Sequence, residues 1–155
     1  MNATEKIKDT LAKRFSALAD AIQMPRERRL ALTVPFADFP AVFDYAVKEL
    51  KFSHLITITG LDEPEVFGLI YHLAHDNGVV LNLRTSVDKK NPTVKTVTSY
   101  FPGAEIYERE LVDLFGVKVE GLQAGNRYPL TDEWPVGEYP LRKDWKADKQ
   151  EKHHA

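Results

Sequence analysis

Four charged residues in one predicted helix are the side chains of this sequence best suited to chemistry. Glu108, Arg109, Glu110 and Asp113 lie within the run ERELVDLFG. Two carboxylates that share a site could act as general acid and base, and an arginine could bind a carboxylate through its planar fork. At about 100° per residue, Glu108 and Glu110 point to different sides of the helix, which argues against such a carboxylate pair. The charged face is then either solvated or a docking surface in which Arg109 binds a partner.

The other residue types that carry chemistry are absent or badly spaced. The sequence contains no cysteine, which excludes a cysteine-ligated iron–sulfur cluster and a thiol nucleophile. His72 and His75 lie three residues apart on a predicted strand, so they face opposite sides and cannot share a metal. No glycine-rich phosphate loop follows a predicted strand. We therefore predict no catalytic, cofactor-binding or metal-binding residue in this chain.

Length and composition indicate one globular domain with a real hydrophobic core. The chain has 155 residues, of which 43% are hydrophobic, and its formal net charge is −2. This charge gives no electrostatic bias toward nucleic acid. The N-terminal run MNATEKIKDT is polar and unlike a signal peptide, and no segment is long and apolar enough to span a bilayer. We expect any contact with a membrane to come through a partner.

Hydrophobic periodicity predicts the elements that must position the charged helix. The expected order is a helix over 4–22 that starts at Thr4 and ends before Pro25, a strand over 28–35, a helix from Asp38, strands over 54–60, 65–75 and 79–87, a helical turn near 94–99 and a helix over 104–115. Asp76-Asn77-Gly78 predicts a hairpin turn with two positive φ angles. This order predicts an α+β fold of two layers, in which helices pack on one face of a mixed β-sheet.

Regular periodicity disappears after Glu120, which predicts one α+β domain over 1–120 and an irregular, extended arm over 121–155. The arm contains both tryptophans of the chain, whereas disordered tails are poor in aromatic residues. It therefore either wraps its own domain or lies against a partner, where aromatic residues and arginine are enriched. We expect only its last residues, ADKQEKHHA, to fray. The predicted partner-binding residues are Glu108, Arg109, Glu110, Asp113, Trp134, Tyr139, Pro140, Leu141, Arg142, Lys143 and Asp144.

Two separated motifs, ERELVDLFG and PLRKDW, resemble a known family. They are similar to motifs of the 30-kDa subunit of respiratory complex I, which in bacteria is the NADH–quinone oxidoreductase. They equally resemble the small subunit of the membrane-bound energy-converting hydrogenases related to complex I. The runs HLITITG, VFGLIYHLA and TDEWPVGEYPLRKD extend the resemblance from Arg28 to Trp145.

This resemblance implies a subunit without a cofactor of its own, in the peripheral arm of an ion-translocating redox complex on the cytoplasmic side of the membrane. The chain would pack against the large subunit, which resembles the nickel–iron hydrogenase catalytic subunit, near the iron–sulfur subunits. The short sequence after Trp145 favours the hydrogenase branch as a hypothesis. Two alternatives stay open: a stand-alone small enzyme that uses Glu108 or Glu110, and an assembly factor that binds the large subunit transiently.

Overall fold

A five-stranded mixed sheet is the centre of the computed structural model, which describes residues 2–147. The run predicted to fray, ADKQEKHHA, lies outside these residues except for Ala147. Its strands are β1 (Ile22–Arg26), β2 (Arg29–Thr33), β3 (His54–Asp62), β4 (Val66–Ala74) and β5 (Val80–Asp88), in the order β1-β2-β5-β4-β3. Strands β2 and β5 are parallel, and the other neighbours are antiparallel. The helices are α1 (Ala3–Arg14), α2 (Phe39–Lys48) and α3 (Ala104–Phe115), and two short parallel strands, β6 (Thr93–Lys95) and β7 (Lys118–Glu120), form a second sheet.

The core forms on one face of the sheet, as the alternation in the sequence predicts. Along β5, Leu81, Leu83 and Thr85 are buried, whereas the residues between them are only half-buried. Helix α2 covers the buried face, and its Phe39 and Phe43 rings lie 4.8 and 5.6 Å from the ring of Tyr71. Burying one such side chain stabilises the fold by about 1.5–3 kcal/mol. The predicted α+β fold class is confirmed.

The hairpin between β4 and β5 is confirmed, but its turn is of another type. Gly78 is the one residue of this turn with a positive φ, of 84°. The Gly78 N–H donates to the His75 carbonyl at 2.8 Å, and the His75 N–H donates to the Val79 carbonyl at 2.9 Å. This is the pattern of a type I turn followed by a glycine bulge. The prediction of two positive φ angles is therefore wrong.

The first predicted helix is too long. Helix α1 ends at Arg14, a 3₁₀ helix covers Ser16–Ala21, and Ile22 begins β1 rather than ending the helix. The N-cap is Asn2, whose side chain forms a capping box with Glu5, and not Thr4. The chain leaves the helical path because Ile22 pairs with Leu32 at the edge of the sheet and becomes buried there. Pro25 is tolerated because an edge strand does not need every N–H for pairing.

The helical turn predicted near 94–99 is wrong at its start. Residues Thr93–Lys95 form β6, which pairs in parallel with Lys118–Glu120 of β7. A turn is present only at residues 98–100. The partner strand lies beyond α3, so a run of three residues gives no local signal of this pairing.

Candidate partner-binding surface of helix α3 and the C-terminal arm

Helix α3 is held against the sheet by its apolar stripe. Its residues Ala104, Leu111 and Phe115 are buried, as the periodicity predicts. The Phe115 ring packs so closely on β3 that a Cβ atom added to Gly60 would lie 2.5 Å from it. Gly116 ends the helix in the left-handed conformation at φ 72°, and its N–H donates to carbonyls of the last turn. The helix is therefore rigidly placed before the arm begins.

Glu108 points into the protein and has an internal role. Its side chain has no exposed surface and accepts hydrogen bonds from the Val97 N–H at 2.7 Å and the Thr96 hydroxyl at 2.6 Å. Burial raises the pKa of Glu108, although both hydrogen bonds act in the opposite direction. This carboxylate ties the segment after β6 to α3. It cannot contact a partner from this position, so it leaves the predicted partner-binding set.

Arg109 binds the start of the arm of its own chain. Its guanidinium is paired with Glu105, at 2.7 Å from Nη2 to Oε1. The same group donates to the Gln123 carbonyl at 2.8 Å and the Asn126 carbonyl at 3.4 Å. Only 14% of the Arg109 side chain is exposed. The contacts of Arg109 are thus made within the chain rather than offered to another one.

Asp113 extends this attachment through contacts with the arm. Its carboxylate accepts a hydrogen bond from the Leu130 N–H at 3.2 Å and lies 3.5 Å from Arg127 Nε. Arg127 in turn donates from Nη1 to the Trp134 carbonyl at 2.7 Å. Asp113 is buried, so it too leaves the predicted partner-binding set. Helix α3 therefore fixes the path of the arm through residues 123–134.

The far end of the arm returns to the C-terminus of α3. Arg142 donates from Nε to the Phe115 carbonyl at 2.7 Å, a favourable place for a cation because the helix dipole is negative there. Its guanidinium carbon lies 4.4 Å from the centre of the Tyr139 ring and 5.0 Å from that of Phe67. The Leu141 N–H donates to the Leu114 carbonyl at 3.1 Å. Arg142 thus joins the arm, the helix and the sheet.

Two further contacts hold the end of the arm. The Lys143 N–H donates to Asp62 Oδ2 at 2.6 Å, and the ammonium of Lys89 also pairs with Asp62. Burial acts to raise the pKa of Asp62, but these two contacts outweigh it and hold the pKa below its usual value. The rings of Trp134 and Trp145 pack against each other at an angle of 35°, with their centres 5.6 Å apart. These residues show that the arm follows its own domain, although residues 121–147 contain no helix or strand.

The outer side of the helix and arm exposes apolar residues. We name Ile106, Tyr128, Val136 and Leu141 the outer apolar set, and their exposed fractions are 50%, 42%, 97% and 52%. Glu110 follows Ile106 one turn along the helix and, within residues 2–147, its side chain takes part in no hydrogen bond or ion pair. Of the predicted partner-binding residues, Lys143 and Asp144 are exposed, and Trp134, Tyr139, Pro140 and Arg142 are half-buried. The outer apolar set and these residues are the candidate surface.

Sequence reasoning missed Arg127 and Asp62, which hold the arm from the inside. Asp62 lies at the end of β3, 81 residues before its bonded partner Lys143, so no local spacing connects them.

The structure gives no metal-binding group of histidine, cysteine or carboxylate residues in the part of the chain that it describes. His72 instead bonds Thr59 and Asn82 on the open face of the sheet, at 2.9 and 2.8 Å. No helix between residues 2 and 147 has the length and apolar character needed to cross a membrane.

A family model and individual relatives match this chain. The model of the "Respiratory-chain NADH dehydrogenase, 30 Kd subunit" matches residues 32–151. A subunit of the F(420)H(2) dehydrogenase of Methanosarcina mazei is 34% identical over 109 residues, which cover 68% of each chain. A subunit of the NADH-quinone oxidoreductase of a Roseiflexus species is 37% identical over 101 residues, which cover 62% of this chain and 56% of that relative.

Two solved structures share the fold. A chain of the membrane-bound sulfane sulfur reductase, described as an archaeal respiratory membrane complex, superposes with a TM-score of 0.76 at 29% identity. This superposition covers 94% of the present chain and 86% of that chain. The trypsin-resistant fragment of Nqo5 superposes with a TM-score of 0.66 at 26% identity, and covers 79% of this chain and 98% of the fragment. The similarity therefore includes the mixed sheet and, in the first structure, nearly all of the chain.

Proposed function

Because the chain belongs to the family of the 30-kDa subunit of the respiratory-chain NADH dehydrogenase, we propose that it is a non-catalytic subunit of a membrane-associated, ion-translocating redox complex. Its place is the peripheral arm on the cytoplasmic side. Its partners are the large subunit that resembles the nickel–iron hydrogenase catalytic subunit and the neighbouring iron–sulfur subunits. The names of the relatives, which include an NADH-quinone oxidoreductase and a formate hydrogenlyase, support a role as one subunit among several.

One observation of the structure carries the docking role: the arm is fixed on its inner side and apolar on its outer side. Arg109, Asp113 and Asp62 bind backbone groups of the arm, so the arm keeps its path without a partner. Val136 meanwhile has 97% of its surface exposed. An arm that served only to close its own core would turn such a residue inward. The arrangement instead presents a pre-organised surface, which lowers the ordering cost of association.

The chemistry of this surface fits a protein partner. Full burial of an aliphatic or aromatic side chain contributes about 1.5–3 kcal/mol, so the outer apolar set can supply much of the energy of a stable contact. Glu110 lies one helical turn from Ile106, and Lys143 and Asp144 follow Leu141 in the chain. The surface therefore also carries charges of both signs, which favour one orientation of the partner over others. Arg142 holds this part of the arm in place through its hydrogen bond to the Phe115 carbonyl.

Incorporation of variants into the native complex tests this proposal. We expect the double variant Val136→Ser, Leu141→Ser to leave the melting temperature of the isolated chain unchanged, because both side chains are exposed. We expect its recovery with the other subunits to fall at least tenfold, which corresponds to about 1.4 kcal/mol of lost binding. Met24→Ser on β1, where the side chain is 38% exposed, is the matched control and should assemble normally. Equal recovery of the double variant and the control would contradict the docking role.

The same purified complex identifies the reaction that the chain supports. Hydrogen evolution would assign the complex to the hydrogenase branch, and NADH-dependent quinone reduction without nickel would assign it to complex I. A chain that is recovered only as a lone monomer from its native source would contradict both assignments.

A further inference from the structure

A cleft of about 600 Å³ opens between α2 and residues 91–97, away from the residues that hold the arm. Phe36, Phe39 and Phe43 line one side, and Val94 and Val97 line the other. This volume lies within the range of about 300–1,000 Å³ that is usual for small-molecule sites. About 20 water molecules occupy this volume in the liquid, so one side chain inserted from another protein would leave most of the cleft empty.

The sheet contributes a buried hydroxyl without a partner to this cleft. Thr85 lines the cleft and is 1% exposed, and its Oγ1 atom forms no hydrogen bond with any residue that the structure describes. Buried side-chain polar atoms of native proteins nearly always have a partner. A threonine hydroxyl can donate and accept. The Thr85 hydroxyl is therefore the candidate hydrogen-bonding group for a ligand of the cleft.

The rest of the inner lining is uncharged. Tyr71 also lines the cleft, and burial raises the pKa of its hydroxyl, which keeps it neutral at physiological pH. The charged lining residues, Lys95 and Glu120, are exposed. A charged group inside such a cleft would lose its hydration without compensation. The lining therefore selects an uncharged molecule.

The walls of the cleft are fixed in the absence of a ligand. Glu108 binds Thr96 and Val97 on one wall. Tyr100 donates a hydrogen bond to Asp44 of α2 at 2.7 Å, which joins the two walls. The cleft is thus pre-formed, as small-molecule sites usually are.

We propose that this cleft binds an uncharged small molecule that has an apolar body and a hydrogen-bonding oxygen, with the oxygen held by the Thr85 hydroxyl. This binding site is separate from the docking role of α3 and the arm, and it does not depend on that role. No charge or metal takes part. Recognition rests on aromatic contact and one hydrogen bond.

Two fluorinated probes that differ in one oxygen test the proposal on the full-length chain. 4-Fluoroacetophenone carries a carbonyl, and 4-fluoro-α-methylstyrene has the same branched outline with a CH₂ group in place of the carbonyl oxygen. Binding of each is measured by ¹⁹F NMR. We expect both to bind the wild type, and Thr85→Val to weaken the ketone about 2- to 10-fold, the usual range for one hydrogen bond, without weakening the hydrocarbon. Equal effects on both probes, or no binding of either, would overturn the proposal.

A blocking variant locates the probes in the cleft. Ala37 is an exposed lining residue, so the bulky ring of Ala37→Trp should change the lining and weaken binding of both probes. Ala41 is exposed on α2 but does not line the cleft, and Ala41→Trp is therefore the matched control, expected to bind like the wild type. Both variants are checked for an unchanged melting temperature. Equal probe binding by Ala37→Trp and Ala41→Trp would place the probes elsewhere and refute the assignment.

The native complex separates a small molecule from a segment of a neighbouring subunit. The chain has no cysteine, so Ala37→Cys introduces a single thiol at the cleft. If the cleft serves a small molecule, this thiol reacts with a maleimide at similar rates in the free chain and in the complex, and 4-fluoroacetophenone slows both reactions. A thiol that reacts in the free chain but is shielded in the complex would show that a neighbouring subunit occupies the cleft, and would overturn the proposal.

Discussion

Replacing Arg142 with alanine should release the end of the arm without unfolding the domain. The variant loses the hydrogen bond from Nε to the Phe115 carbonyl, which is 2.7 Å long. It also loses the contacts of the guanidinium with the rings of Tyr139 and Phe67. A hydrogen bond to a charged group contributes about 1.5–3 kcal/mol, and each cation–π contact about 0.5–1 kcal/mol. Together these terms amount to a loss of about 2.5–5 kcal/mol, which we expect to be confined to the arm.

Amide hydrogen exchange measures this local release. The Leu141 N–H bonds the Leu114 carbonyl, and the Lys143 N–H bonds Asp62. In Arg142→Ala, both should exchange about 60- to 4,000-fold faster, because each factor of ten corresponds to about 1.4 kcal/mol. The amides of Leu81 and Leu83 in β5 should keep their exchange rates.

Two neighbouring variants sharpen the interpretation. Arg142→Lys keeps a cation at the helix C-terminus but loses the planar fork, so its exchange rates should be intermediate. Lys143→Ala is the control, because the bond to Asp62 comes from the Lys143 backbone. If the β5 amides accelerate as much as the arm amides, Arg142 stabilises the whole fold and the reasoning fails. Unchanged exchange at Leu141 and Lys143 would refute it as well.

Further predictions concern the packing and ionisation of α3. Gly60→Ala places a Cβ atom 2.5 Å from the Phe115 ring and should lower the free energy of unfolding by about 1–3 kcal/mol, as measured by thermal unfolding. Gly103→Ala meets no atom within 4 Å and should be neutral or slightly stabilising. Equal losses of stability in the two variants would show that Phe115 does not pack tightly on Gly60. Because the folded pKa of Glu108 is raised above its ordinary value of 4.5, this residue's contribution to stability is greatest below pH 4.5 and is lost as the pH rises through the raised pKa. Glu108→Gln lacks this dependence, so urea unfolding should show the variant gaining on the wild type between pH 4.5 and 8, and a constant difference would contradict the burial argument.

The elements with strong local patterns follow from the sequence. Alternation along β5 and the turn residues before it predict the β4–β5 hairpin, and the stripe that includes Leu111 and Phe115 predicts α3. The elements that were predicted wrongly are those that form through contacts between residues far apart in the chain. Strand β6 exists because β7 pairs with it across α3, and β1 replaces the end of the first helix because Ile22 pairs with Leu32. A three-residue or edge strand is too short for its period to show.

In the candidate site, too, local patterns predict the helix, whereas contacts between distant residues are not predicted. The helical periodicity places Arg109 away from the apolar stripe, as the structure has it. It does not show that the arm folds back so that its carbonyl groups accept hydrogen bonds from Arg109. Glu108 borders the stripe, and its burial depends on the Val97 N–H, which only the fold brings near. The path of the arm also depends on distant contacts. The arm wraps its own domain on the inner side, and binding of a partner on its outer side stays a prediction.

Photocrosslinking from position 136 tests the central claim most directly. A benzoylphenylalanine side chain in place of Val136, introduced into the chain in its native host, is irradiated, and the products are identified by mass spectrometry. Because Val136 is 97% exposed on the outer side of the arm, the account predicts a crosslink to the large subunit of the redox complex. The same side chain at Met24 provides the background. Products at position 136 that are limited to the chain itself, or that equal those from position 24, would contradict the account.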